Sequence, residues 1–160
     1  MSGATEPGFR TARGYRMFDQ ENGRLSPALE DYLEMIYRLC KDRGYTRVGK
    51  ISECLQVKPS SASKMIVKLA GMEYIRYGRY EIIQLTESGK KLGSYFLARH
   101  NILTEFLKLI GSKNTLEEVE LIEHPLTAAT VSNLKILIDF FRLNPEIEKK
   151  FRIYRSKQFG

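Results

Sequence analysis

A chain of 160 residues, 42% hydrophobic and 28% charged, can bury one ordinary core or two small ones, and its composition excludes a disordered chain. No run approaches the roughly 20 apolar residues of a membrane span. The start of the sequence lacks the basic stretch, apolar block and small-residue site of a secretory signal, so a cytoplasmic address is expected. The net charge of +7 is unevenly spread. Residues 25–85 carry ten basic and seven acidic side chains, residues 86–142 seven of each, and residues 143–160 five and two. That distribution suits a nucleic-acid reader joined to a neutral oligomerisation unit. Cys40 and Cys54 have no ligand-like spacing, and both are expected to be reduced core residues.

Residues 1–24 have little apolar periodicity and read as a flexible arm in which Arg10, Arg13 and Arg16 are given no role. Ser26-Pro27 opens a helix, with Leu29, Tyr32, Leu33, Ile36, Tyr37 and Leu39 as its buried stripe to about residue 42. Asp31 and Glu34 lie beside that stripe near the helix start, where the dipole favours acids. Gly44 breaks the helix, and Val48, Ile51 and Leu55 outline a second, short one. From Lys58-Pro59, Ala62, Met65, Ile66 and Leu69 mark the inward face of a third helix. Its outer face begins with Ser60, Ser61, Ser63 and Lys64, followed by Lys68. Small hydroxyls and amines there let a helix sink into the major groove and reach base edges or phosphates, the helix-turn-helix arrangement. Gly71 ends it. Residues 74–85 then read as a two-stranded hairpin around Gly78, with Arg76 and Arg79 near the tip to meet the DNA backbone.

Thr86 caps a helix of about 24 residues, close to 36 Å long, with Leu92, Phe96, Leu103, Phe106 and Ile110 as its seam. This is a plausible connector and dimer spine, and it carries His100. Thr115-Leu116-Glu117-Glu118 has the pattern of a capping box for a short helix that Pro125 closes. Thr127 caps a last amphipathic helix through Phe141, with Val131, Leu134, Leu137, Ile138 and Phe141 inward, and Asn144-Pro145 stops it. Residues 143–160, with Lys149, Lys150, Arg152, Arg155 and Lys157, read as a basic tail that lies along DNA or remains solvated, the second being preferred.

Glu120-Leu121-Ile122-Glu123-His124 places two carboxylates and an imidazole on one helical face. With Asp31, Glu34 and His100, they offer an oxygen-and-nitrogen donor set drawn from three helices. The order winged helix, long helix, Glu-x-x-Glu-His resembles the diphtheria toxin repressor (DtxR) family of metal-dependent repressors, and within it the manganese-responsive branch. The resemblance covers roughly residues 26–142. It rests on Asp31-Tyr32-Leu33-Glu34-x-Ile36-Tyr37, Lys58-Pro59-Ser60-Ser61, Arg99-His100 and Glu120-x-x-Glu123-His124.

The resemblance implies a metal site of Asp31, Glu34, His100, Glu120, Glu123 and His124, binuclear and loaded with Mn²⁺. Iron-responsive relatives place a thioether and a thiol where Asp31 and Glu120 stand, and harder oxygen ligands suit Mn²⁺ better. Fe²⁺, Co²⁺, Zn²⁺ and Cd²⁺ remain open as occupants. Thr104 replaces an acid of the iron branch's ancillary site, and no room is expected for that branch's C-terminal SH3-like domain. The expected protein is mainly α. Its parts are an arm (1–24), a winged helix-turn-helix domain (25–86), an all-α metal-binding and dimerisation domain (87–142) and the tail (143–160). It would act as a homodimer repressing from a palindromic operator in double-stranded DNA, without membrane or small-molecule substrate. Contending readings are an iron-responsive regulator, a metal-independent winged-helix regulator and a binuclear metallohydrolase. No Ser, Cys or Lys nucleophile stands beside the acids for the last.

Overall fold

The computed structural model describes residues 25–158. The expectation for residues 1–24, with Arg10, Arg13 and Arg16, lies outside them. The described residues form two compact units that divide between Leu97 and Ala98.

In the first unit, the Ser26 hydroxyl accepts from the Leu29 amide at 3.3 Å, and Pro27 takes the first position of α1 (Pro27–Arg43). Leu33 and Ile36 are fully buried, and Leu29, Tyr32 and Cys40 nearly so. This is the stripe that helical spacing dictates. Gly44, at φ 75°, ends α1 by donating its amide to the Cys40 carbonyl. The strand β1 (Thr46–Arg47), α2 (Val48–Cys54) and α3 (Pro59–Gly71) follow. Ile51, Ala62, Ile66 and Leu69 have no exposed surface.

β2 (Ile75–Tyr77) and β3 (Ile82–Leu85) form the expected antiparallel hairpin, with Ile75 opposite Leu85 and Tyr77 opposite Ile83. The sheet nevertheless has three strands rather than two. β1 pairs with the other edge of β3, Thr46 opposite Ile83, giving the order β1-β3-β2. A strand of two residues is too short to leave a periodic signal. The glycine of the turn does not take its left-handed position. Gly78 is extended (φ −117°, ψ −166°), and the left-handed residues are Tyr80 (φ 61°) and Glu81 (φ 58°), within a short 3₁₀ turn at Arg79–Glu81.

Thr86 starts α4 (Glu87–Ile110), its hydroxyl accepting from the Gly89 amide at 3.1 Å and donating to the Glu73 carbonyl at 2.7 Å. Gly93 lets α4 approach α1, because a Cβ there would lie 2.8 Å from the Cβ of Tyr37. Cys40 is buried, its thiol 3.9 Å from the Ile83 carbonyl, and burial pushes its pKa up to about 11. Cys54 corrects the sequence reading. It is exposed at the last residue of α2, whose buried face is made by Val48, Ile51 and Ser52.

The second unit contains the rest of α4 with α5 (Thr115–Ile122), α6 (Ala128–Leu143) and α7 (Pro145–Gln158). Leu103, Leu107 and Val119 form a buried cluster against which Phe106, Ile122, Leu126 and Leu134 pack. The expected capping box does not form. Asn114 is the N-cap of α5 without a side-chain bond, and Glu118 instead accepts from the Ser112 hydroxyl at 2.7 Å. Thr127 does cap α6, accepting from the Thr130 amide at 3.2 Å.

Two residues assigned inward are exposed, Ile110 (43%) and Leu137 (40%), and α6 further exposes Ile136, Phe140 and Leu143. The segment read as a solvated tail is largely helix. Asn144 and Pro145 both stop α6 and start α7, the amides of Ile147 and Glu148 returning to the Asn144 carbonyl. Phe151 of α7 meets Phe141 of α6 with ring centroids 5.4 Å apart. Near the end of α7, Arg155 donates to the Leu109 carbonyl, and its guanidinium fills the space over Gly111 (φ 93°), where a Cβ would lie 2.7 Å from its central carbon. Among the described residues, no helix is long and apolar enough to cross a membrane.

Candidate metal centre and nucleic-acid interface

In the second unit, Leu103 and Leu107 of α4 and Val119 of α5 share one buried cluster, which holds the two helices together. His100 lies one turn before Leu103 on α4, and Glu123 one turn after Val119 at the C-terminus of α5. Their packing therefore dictates the meeting of the two side chains. His100 Nδ1 is 3.1 Å from Glu123 Oε2, and His124 Nε2 is 4.0 Å from Glu123 Oε1. Glu123 is 2% exposed and both imidazoles 16%. A carboxylate withdrawn from water needs a counter-charge or donors, and two imidazoles face this one. The helix ends at Ile122 with Glu123 as its C-cap, and Pro125 keeps it from resuming, which leaves the His124 imidazole just past the terminal turn. Glu120, exposed, stands one turn earlier on α5. Such a nitrogen-and-carboxylate set fits a divalent transition metal.

In the first unit, Asp31 and Glu34 are one turn apart on α1, Asp31 exposed and Glu34 8% exposed. Arg38 donates to Glu34 Oε1 from Nε at 3.0 Å and from Nη2 at 2.5 Å. The sequence reading missed Arg38. Its signal was the Glu-to-Arg spacing of four on one helix.

The expected DNA face is placed as follows. Lys58, Ser60, Ser61, Lys64 and Lys68 are exposed and Ser63 half-buried, all at or along α3. Pro59 occupies the first helical position, and the N-cap Lys58 makes no side-chain capping bond. Arg76 in β2 and Arg79 in the turn are exposed. Tyr80, 81% exposed, stands at the same tip. The sequence reading gave it no role.

Residues 24–82 match the family described as "Iron dependent repressor, N-terminal DNA binding domain". Residues 86–152 match its companion, "Iron dependent repressor, metal binding and dimerisation domain". The chain belongs to the iron-dependent repressor family. Members of this family are metal-dependent, DNA-binding transcriptional repressors rather than enzymes. A relative from Geobacillus thermodenitrificans (strain NG80-2), "HTH-type transcriptional regulator MntR", is 40% identical over 135 residues, covering 83% of this chain and 94% of its own length. Among solved structures, the manganese regulator SloR superposes with a TM-score of 0.63 at 25% identity, over 72% of this chain and 55% of that one. ScaR with bound Zn²⁺ gives a TM-score of 0.58 at 29% identity, over 70% of this chain and 54% of that one. The chain thus spans about half the length of these two solved repressors. The first family match includes α1, α3 and most of the wing. The second includes His100, Glu120, Glu123, His124 and much of α7.

Proposed function

We propose that this repressor is gated by Mn²⁺ held by Asp31, Glu34, His100, Glu120, Glu123 and His124. The observation that carries the reading is the buried Glu123 carboxylate between His100 and His124, a cluster of nitrogen and oxygen donors. Bound divalent ions would supply positive charge that offsets the four carboxylates, and two such ions balance them. The family description names iron, but oxygen donors at Asp31 and Glu120 favour a harder ion. The similarity to the manganese regulator SloR points the same way.

Asp31 and Glu34 belong to the helix that supports α3, and the other four to the dimerisation unit. Ligation by all six restricts how the reading helix is presented. The coupling follows from the metal's preference for the DNA-competent arrangement, typically about 1–3 kcal/mol. Ile136, Leu137, Phe140 and Leu143 form an apolar stripe on α6 suited to a second copy of the chain. Two copies present two α3 helices to a palindromic operator, with half-sites about one DNA turn apart or a multiple of it. A cytoplasmic address follows from that task.

The test is a DNA-shift titration with Mn²⁺, Fe²⁺ and Zn²⁺ on a duplex selected from a random pool in the presence of Mn²⁺. Wild type should respond best to Mn²⁺, and Glu120→Cys should shift the preference toward the softer ions. Binding indifferent to all three ions overturns the reading.

A further inference from the structure

The outer face of α3 is almost wholly hydroxyls and amines. Val67 is the exception. It is 57% exposed, three residues beyond Lys64 and four beyond Ser63, so it stands beside both on the helix surface. With Ser61, Ser63, Lys64, Met65 and Lys68 it borders one shallow depression. Folding gives little reason for valine at this position, because an exposed β-branched residue is a poorer helix former than alanine. A valine also has nothing to offer a phosphate. Of the features that base pairs display in the major groove, only the thymine C5-methyl is apolar. The stiff, short side chain presents two methyl groups with little rotamer freedom to lose.

We infer that Val67 is a specificity-determining residue that reads a thymine methyl in each operator half-site. The inference rests on the proposal that α3 lies in the major groove with Ser63 and Lys64 toward the bases. Val67 adds shape selection to the hydrogen bonds its neighbours make. It favours thymine over cytosine and uracil at one position.

The experiment uses the full chain with Mn²⁺ and the duplex selected above, each thymine replaced in turn by deoxyuridine, which removes only the methyl group. At one thymine per half-site, wild type should lose about fourfold in affinity, the factor that corresponds to burying one methyl-sized group. Val67→Ala should bind the unmodified duplex more weakly and lose nothing further on uracil substitution there. Val67→Thr, which keeps the shape, should retain the response in part. Equal uracil profiles for wild type and Val67→Ala overturn the inference, as does a selected operator with no thymine common to its half-sites. Lys64→Ala separates the levels. If it weakens binding while the profiles stay equal, only the assignment of Val67 fails. If Lys64→Ala binds as wild type does, α3 is not the reading helix and the proposal beneath falls too.

Discussion

On α3 and the wing, the side chains assigned to DNA are mostly exposed. In the second unit, Glu123 is 2% exposed and lies 3.1 Å from an imidazole. The first set can change without disturbing a core, because nothing packs around it. The second cannot, because its carboxylate is part of the packed junction between α4 and α5. The proposed DNA contacts are therefore separable from folding, whereas the proposed ligand Glu123 is entangled with it.

The largest effect should come from Glu123→Ala. Mn²⁺ at about a hundred times its Kd should stabilise the wild type by about 2.7 kcal/mol in thermal or urea unfolding. Glu123→Ala should abolish that gain and change metal-free stability as well, by about 1–3 kcal/mol. A variant that kept the full gain would place the ion elsewhere. Chelation of metal from the wild type should weaken operator binding by a factor of about 5–150, the range that ordinary coupling energies cover.

Lys64→Ala tests the other side of the comparison. DNA affinity should fall while the unfolding midpoint stays within about 0.5 kcal/mol of wild type, as expected for a surface change. A matching loss of stability would contradict the separation. Arg79→Ala should be milder still, weakening binding to all sequences and lowering the salt-dependence slope by about one. The two thiols offer a reagent-level check of the fold. In the native protein, Cys54 should react with an alkylating reagent near neutral pH. Cys40, buried and with its pKa raised to about 11, should react only after unfolding.

Legibility in the sequence followed the length of each pattern. The helices α1, α3, α4 and α6 carry apolar stripes over three turns or more, and their caps at Ser26, Thr86 and Thr127 form as the residue types dictate. β1 is two residues long and owes its pairing to β3, so no local signal announced it. The conformation of the wing turn had no local signal either: Gly78 is extended, while Tyr80 and Glu81 take left-handed φ values. Asn144-Pro145 was read as a stop alone. The same kind of dipeptide, a polar residue before proline, had opened α1 at Ser26-Pro27, and it opens α7 as well. Within the candidate site, His100 meets Glu123, 23 positions along the chain, through apolar packing. Residue types make these side chains candidate donors, but spacing relates neighbours along one helix and says nothing of two, so the meeting itself rested on the resemblance.

Gly111 gives the C-terminal helix an unusual vulnerability. The Arg155 guanidinium occupies the volume that any larger residue at 111 would claim, while donating to the carbonyl of Leu109. A single methyl at that turn would push aside the end of a flexible side chain, and at φ 93° it would also strain the backbone. The far segment of the chain would lose one polar tie, keeping the contact of Phe151 with Phe141, through a substitution more than 40 residues upstream, in a loop that contains neither a proposed ligand nor a proposed DNA contact.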